Sequence, residues 1–194
     1  MSADYDEFKT IMDENVDGHP VDIRYGESMT EGLPAVRILK YDDYPRPGFK
    51  TAVTYGLSLA DHPESPHWTD SKPELSICVR SAHDMWGGLI GLMADVFRGD
   101  RPVEPGKRLT FNFPMNEHTH MDGIMVGGPA PFPMNPIALT TRKILIRSAY
   151  PIYRSEGTVI DSDGWERFLE RIGQDALFDP WRPSLVTDTP PSSD

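Results

Sequence analysis

Apolar residues fall at Tyr5, Phe8, Ile11 and Met12 within residues 3–15, a three-to-four spacing that predicts a first amphipathic helix. Residues 19–25 and 35–41 read as strands, joined by a loop holding Gly26, Gly32 and Pro34. The run from Asp42 to Gly48 is dense in turn formers, because proline sets φ and glycine permits φ > 0. Residues 49–59 follow as a third strand with aromatic and β-branched content, and residues 60–72 as a polar loop. Residues 74–80 form a short apolar run without clean alternation, which predicts a strand at the centre of a sheet.

The helical period returns over residues 83–98, where Trp86, Leu89, Ile90, Met93, Val96 and Phe97 form one stripe and Ser81 or Asp84 could cap the start. Gly87, Gly88 and Gly91 each weaken that helix by ~1 kcal/mol relative to alanine. The benefit expected in return is close approach to the sheet. Beyond a proline-rich turn, residues 109–113 and 121–126 read as strands and residues 127–136 as a glycine- and proline-rich loop. A last strand covers residues 143–153. It leads through Arg154-Ser155-Glu156-Gly157 to a helix whose buried stripe is Trp165, Phe168, Leu169 and Ile172. Asp163, three residues before Glu166, has the spacing of a capping box. No repeat and no domain boundary interrupt this order. One α+β domain over residues 1–178 accounts for it, with a Pro/Ser-rich tail over 179–194 expected to be partly disordered.

Composition narrows the function. The 194 residues suit a single core, and a formal net charge of −11 disfavours nucleic acid and anionic membranes while favouring a basic partner. The amino terminus lacks a basic and apolar leader pattern, and no apolar run approaches the ~18 residues of a membrane span. A cytoplasmic location is expected. Cys78 is the sole cysteine; within an apolar strand it reads as a buried, inert thiol.

Candidate chemistry is sparse. His118 and His120 would share one face of a strand and, with Asp122, could hold a metal; a metal-dependent hydrolase built on these three residues is the alternative reading. No G-x-S-x-G elbow surrounds Ser58, Ser76 or Ser81, and Gly127-Gly128 lacks the lysine and helix of a phosphate loop. No cofactor is expected. The loop bearing Asp61, His62, His67, Trp68 and Asp70 combines imidazole, indole and carboxylate groups, and is the expected partner-binding surface.

Four segments in order carry a resemblance: VTYGLS at 53–58, ELSICVR at 74–80 with the helix after it, PGKRLTFNFPMN at 105–116, and the stretch from Pro151-Ile152-Tyr153 through Ser155-Glu156 to Gly164-Trp165 and Leu169. Together they resemble the suppressor of fused (SUFU) family, in its single-domain bacterial form. That resemblance implies a mixed, mostly antiparallel sheet flanked by helices, similar to the N-terminal domain of the animal proteins, and no enzymatic activity. It implies a protein-binding module, either an immunity protein neutralising a cognate toxin or a regulatory scaffold that takes an endogenous peptide as an added strand. The positions matching the animal peptide contacts are Asp95 and Lys107, which depart from the family pattern and put that peptide specificity in doubt.

Overall fold

In a computed structural model, residues 3–16, 19–61, 70–99, 101–115, 117 and 119–186 are described. The first helix, α1 (Ala3–Asn15), presents Tyr5, Phe8 and Met12 to the interior. Four strands follow: β1 (Val21–Arg24), β2 (Arg37–Asp42), β3 (Phe49–Tyr55) and β4 (Lys72–Arg80). The third strand ends earlier than its composition predicts. Gly56, at φ 136°, breaks it, and Leu57–Leu59 form a 3-10 turn.

Helix α2 (Met85–Phe97) precedes β5 (Arg108–Thr110), β6 (Gly123–Pro129), β7 (Ile137–Ala138) and β8 (Lys143–Ile152). The sheet runs β1-β2-β3-β4-β8-β6-β5, with β7 added against the start of β8. Every pairing is antiparallel except β4 with β8. The central place predicted for residues 74–80 is the observed one, since β4 lies between β3 and β8.

Each face of the sheet carries its own core. One buries Ile38, Leu75, Ile77, Val79, Ile124 and Val126 under the α2 stripe; the other buries Leu39, Val53, Ile144 and Ile146 under Tyr5 and Phe8 of α1. A smaller cluster joins Met125 and Ile152 to Ile160 and Phe168.

The α2 glycines divide into two kinds. A Cβ on Gly91 would lie 2.6 Å from Ile38 Cδ1 and 2.9 Å from Tyr25 Cγ, and one on Gly87 would lie 3.0 Å from Lys40 Cδ. These two permit the close approach; Gly88 faces open space. Gly91→Ala is therefore expected to cost about 1–3 kcal/mol by overpacking, whereas Gly88→Ala should gain up to about 1 kcal/mol from helix propensity. Urea unfolding of both variants checks the sign difference; a stabilised Gly91→Ala would refute the close packing.

Several expected boundaries shift. Neither Ser81 nor Asp84 caps α2 through its side chain. Ser81 Oγ accepts the His83 N–H, and the Asp84 carboxylate pairs with Lys50 at 3.0 Å and Lys40 at 3.5 Å. Residues 127–129, expected in a loop, extend β6 across an irregularity. The strand predicted over 109–113 stops at Thr110.

The single helix expected after β8 is three: α3 (Gly157–Asp163), α4 (Trp165–Ile172) and α5 (Gln174–Leu177), entered through a 3-10 turn at Arg154–Glu156. Asp163 is not the cap of α4. It closes α3, its carboxylate accepts from Arg171 and Ser162, and Gly164 at φ 86° separates the two helices. Of the predicted stripe, Phe168 is fully buried, while Trp165, Leu169 and Ile172 are partly so. Residues 179–186 run on from α5 with Arg182 buried among the helices.

Candidate binding surfaces

Two buried polar clusters set the frame on which the surfaces rest. Glu74, fully buried on β4, accepts hydrogen bonds from Gly56 N (2.6 Å), Ser58 N (3.0 Å), Ser58 Oγ (2.7 Å) and Thr54 Oγ1 (2.7 Å). Arg98, at the end of α2, donates from Nε to Gly56 O (3.1 Å) and from Nη1 to Pro34 O (2.6 Å) and Ser28 Oγ (2.9 Å). Asp95 stands 3.5 Å from the same Nη1 and accepts the Met29 N–H at 3.1 Å. Burial lowers the Arg98 pKa, and the Asp95 and Glu74 charges oppose that shift. These carboxylates are structural: Glu74 accepts four hydrogen bonds from the end of β3 and the turn after it, and Asp95 pins the loop at Met29 beside Arg98.

After β5 the chain turns back along residues 119–122, with Phe111 N donating to Asp122 O (2.7 Å) and Met115 N to Met121 O (2.9 Å). This places the Phe111 and Phe113 rings 6.0 Å apart and leaves Phe113 65% exposed. Thr119 Oγ1 donates to Pro180 O at 2.6 Å, bringing Trp181, 55% exposed, to the same segment. Arg154 donates through Nη1 to Asn112 Oδ1 (2.6 Å), and its backbone N–H meets Asp122 Oδ1. His120, Asp122, Tyr153, Arg154 and Ser155 line an open depression there. Phe113 and Trp181 are exposed aromatics on segments that hydrogen-bond to the neighbourhood of this depression, and such residue types are favoured as interface anchors.

The residues expected to act from sequence are placed unevenly. His62, His67 and Trp68 lie outside the described residues. Asp61 and Asp70, at the two ends of that loop, are exposed, and Asp61 pairs with Lys72 at 3.2 Å. His118 also lies outside the described residues, while His120 and Asp122 share the depression just described. Among the described residues no group of three His, Cys, Asp or Glu side chains could hold a metal, and Asp122 is engaged by Arg154.

Asp95 is buried beneath the 28–34 loop, so it has no surface to offer a peptide; Lys107 is exposed. Cys78 is half-buried rather than fully enclosed, and burial pushes its thiol pKa up. Phe113 and Trp181 escaped the sequence reading because their neighbourhoods resemble a strand and a tail. The signal available was the Phe111-Asn112-Phe113 spacing, which exposes a ring once the strand stops short.

Together these elements define a single α+β domain built on one mostly antiparallel eight-stranded sheet. The chain belongs to the suppressor of fused protein (SUFU) family, whose sequence pattern it matches over residues 32–188. It is similar in structure to a SUFU homolog from Neisseria gonorrhoeae (TM-score 0.65, 14% identity, 94% of each chain covered). It also resembles the protein of the Sufu–Fu complex (TM-score 0.60, 13% identity, 92% of this chain and 89% of that one). Against Drosophila Suppressor of Fused the TM-score is 0.55 at 12% identity, with 92% of this chain covering 49% of the insect protein. At these identities the likeness establishes the shared fold. No curated protein matches the sequence. Among the described residues no helix is long and apolar enough to cross a membrane.

Proposed function

We propose that this protein is a non-enzymatic binding module that works by occluding a protein partner. The observation that carries this reading is family membership over residues 32–188; a related chain forms the Sufu–Fu complex. Within that reading the partner is a basic toxin domain neutralised in the cytoplasm, for which the net charge of −11 supplies the complementarity. Such charge accelerates capture and discourages acidic competitors. Phe113 and Trp181 supply anchors, and the loop bearing Asp61, His62, His67, Trp68 and Asp70 supplies a second, acidic contact.

The test is co-expression in the native host's background with a basic toxin domain recovered by affinity capture on this protein, followed by measurement of the complex. The wild type should rescue growth. Phe113→Ser with Trp181→Ser should weaken binding by about 2 kcal/mol or more, roughly 30-fold, as expected for interface anchors. Raising salt from 50 to 500 mM should slow association as screening shortens the Debye length. No rescue, or a complex indifferent to both the substitutions and the salt, would sink the immunity reading. Elemental analysis of untagged protein addresses the hydrolase alternative: stoichiometric zinc that disappears in a His118→Ala/His120→Ala variant would overturn the non-enzymatic reading.

A further inference from the structure

The three central strands change character along the α1 side of the sheet. Val53, Ile144 and Ile146 are large and apolar, but two residues further along their strands stand Thr51 and Ser148, with Ser76 and Cys78 on β4 between them. The register sets Thr51 opposite Cys78 and Ser76 opposite Ser148, so the four make a continuous small, polar floor. Above it lies a cavity of about 310 Å³, at the small end of the ~300–1,000 Å³ typical of small-molecule sites.

Its walls are aromatic. Tyr44 and Phe132 stack at 6.1 Å with planes 10° apart, and Phe49 meets Phe178 edge-on at 5.9 Å. Phe178 is held in place by its carbonyl, which accepts the Arg80 N–H at 2.7 Å.

The floor hydroxyls are unequal. Thr51 Oγ1 donates to Tyr44 O at 2.7 Å and is satisfied. Ser76 Oγ reaches only Arg147 O, at 3.4 Å. Ser148, 7% exposed and lining the cavity, has no hydrogen-bond partner among the described residues. A hydroxyl that opens into an apolar cavity and has no protein partner can bond a polar atom of a molecule placed there. Cys78, whose thiol burial holds neutral, adds soft apolar surface beside it.

Among the described residues lining this cavity, Arg46 alone carries a charge. Its guanidinium lies 4.8 Å above the Phe49 ring, and its nearest carboxylate, Asp175, is 4.0 Å away with both side chains exposed. So weak a pair leaves the guanidinium fork available. In a chain of net charge −11, a cation at the rim of an aromatic cavity selects for an anionic group attached to a ring.

We propose that this cavity is a binding site for a small planar aromatic carboxylate. The ring stacks among Tyr44, Phe49, Phe132 and Phe178; the carboxylate meets the Arg46 fork; and Ser148 bonds a polar atom of the ring system. The site is independent of the protein-binding reading and stands or falls separately.

Calorimetry on the full chain with 2-naphthoate, and with its neutral analogue 2-naphthylmethanol, tests it. The carboxylate should bind one-to-one and at least tenfold more tightly than the alcohol. Arg46→Gln should erase that preference. Ser148→Leu should fill the floor and abolish binding of both probes with the melting transition retained; Cys78→Met, filling the same floor from the neighbouring strand, serves if the leucine variant does not fold. Bound 2-naphthoate should also slow modification of Cys78, the sole thiol, by at least fivefold. The absence of saturable binding, equal affinity for the two probes, or binding unaffected by both floor variants would overturn the site. So would a rate of Cys78 modification left unchanged by bound 2-naphthoate.

Discussion

Replacing Arg182 by methionine is expected to cost about 3–5 kcal/mol of folding stability, because it strands a buried carboxylate. Glu156, fully buried in the turn after β8, accepts from Arg182 Nη1 at 2.6 Å and Nη2 at 2.7 Å, and from the backbone N–H groups of Tyr153 and Leu185 at 3.0 Å each. Without the guanidinium two backbone donors remain and the countercharge is gone. A total stability of ~5–15 kcal/mol makes this a large fraction of the whole. Arg182→Lys should recover only part of the loss, since an ammonium cannot reproduce the two-pronged geometry. The double variant Glu156→Leu/Arg182→Met should sit nearer the wild type than the single one, because the unpaired charge is gone. Urea unfolding followed by circular dichroism reads all three. A single variant within 1 kcal/mol of wild type would show that the pair is solvated. The same reasoning places residues 179–186 within the folded unit, so a chain ending at Phe178 should lose comparable stability.

A second large effect is expected at Arg98. Arg98→Met should also cost about 3–5 kcal/mol, since it leaves Asp95 buried with only the Met29 N–H and withdraws donors from Gly56 O and Pro34 O. Here the readout includes location as well as magnitude. Arg98 ties the end of α2 to the 28–34 loop and to the turn after β3, so hydrogen exchange should rise in those segments first. Uniform acceleration across the sheet would contradict that assignment. Gly56 belongs to the same cluster: a Cβ there would stand 2.3 Å from Arg98 Nη2, and its φ of 136° is unfavourable for any side chain.

Much of this architecture is legible in the chain. The apolar periodicities of residues 3–15 and 83–98 are long enough to specify helices, and residues 74–80 announce a doubly covered strand by lacking alternation. The stretch from 143 to 173 is legible in outline and misleading in detail. A three-residue spacing between Asp163 and Glu166 fits a cap as well as it fits a helix end. What separates the two is a glycine at positive φ and the Arg171 partner of Asp163, neither of which periodicity encodes. The exposed aromatics were less legible still. Phe113 and Trp181 look like strand and tail residues until β5 stops at Thr110 and Thr119 takes hold of Pro180.

By itself, then, the sequence determines the α+β class, the family, the acidic surface and the central strand, because each follows from local pattern or summed composition. The tertiary structure alone decides which carboxylates are structural, which aromatics remain exposed and where a cavity opens. Those outcomes depend on groups distant in the chain: Glu156 meets Arg182, Asp95 meets Met29, and Thr51, Ser76, Cys78 and Ser148 become one floor through strand register. Burial and partnership are pairwise properties of the folded chain, and no spacing along a single strand or helix can specify them.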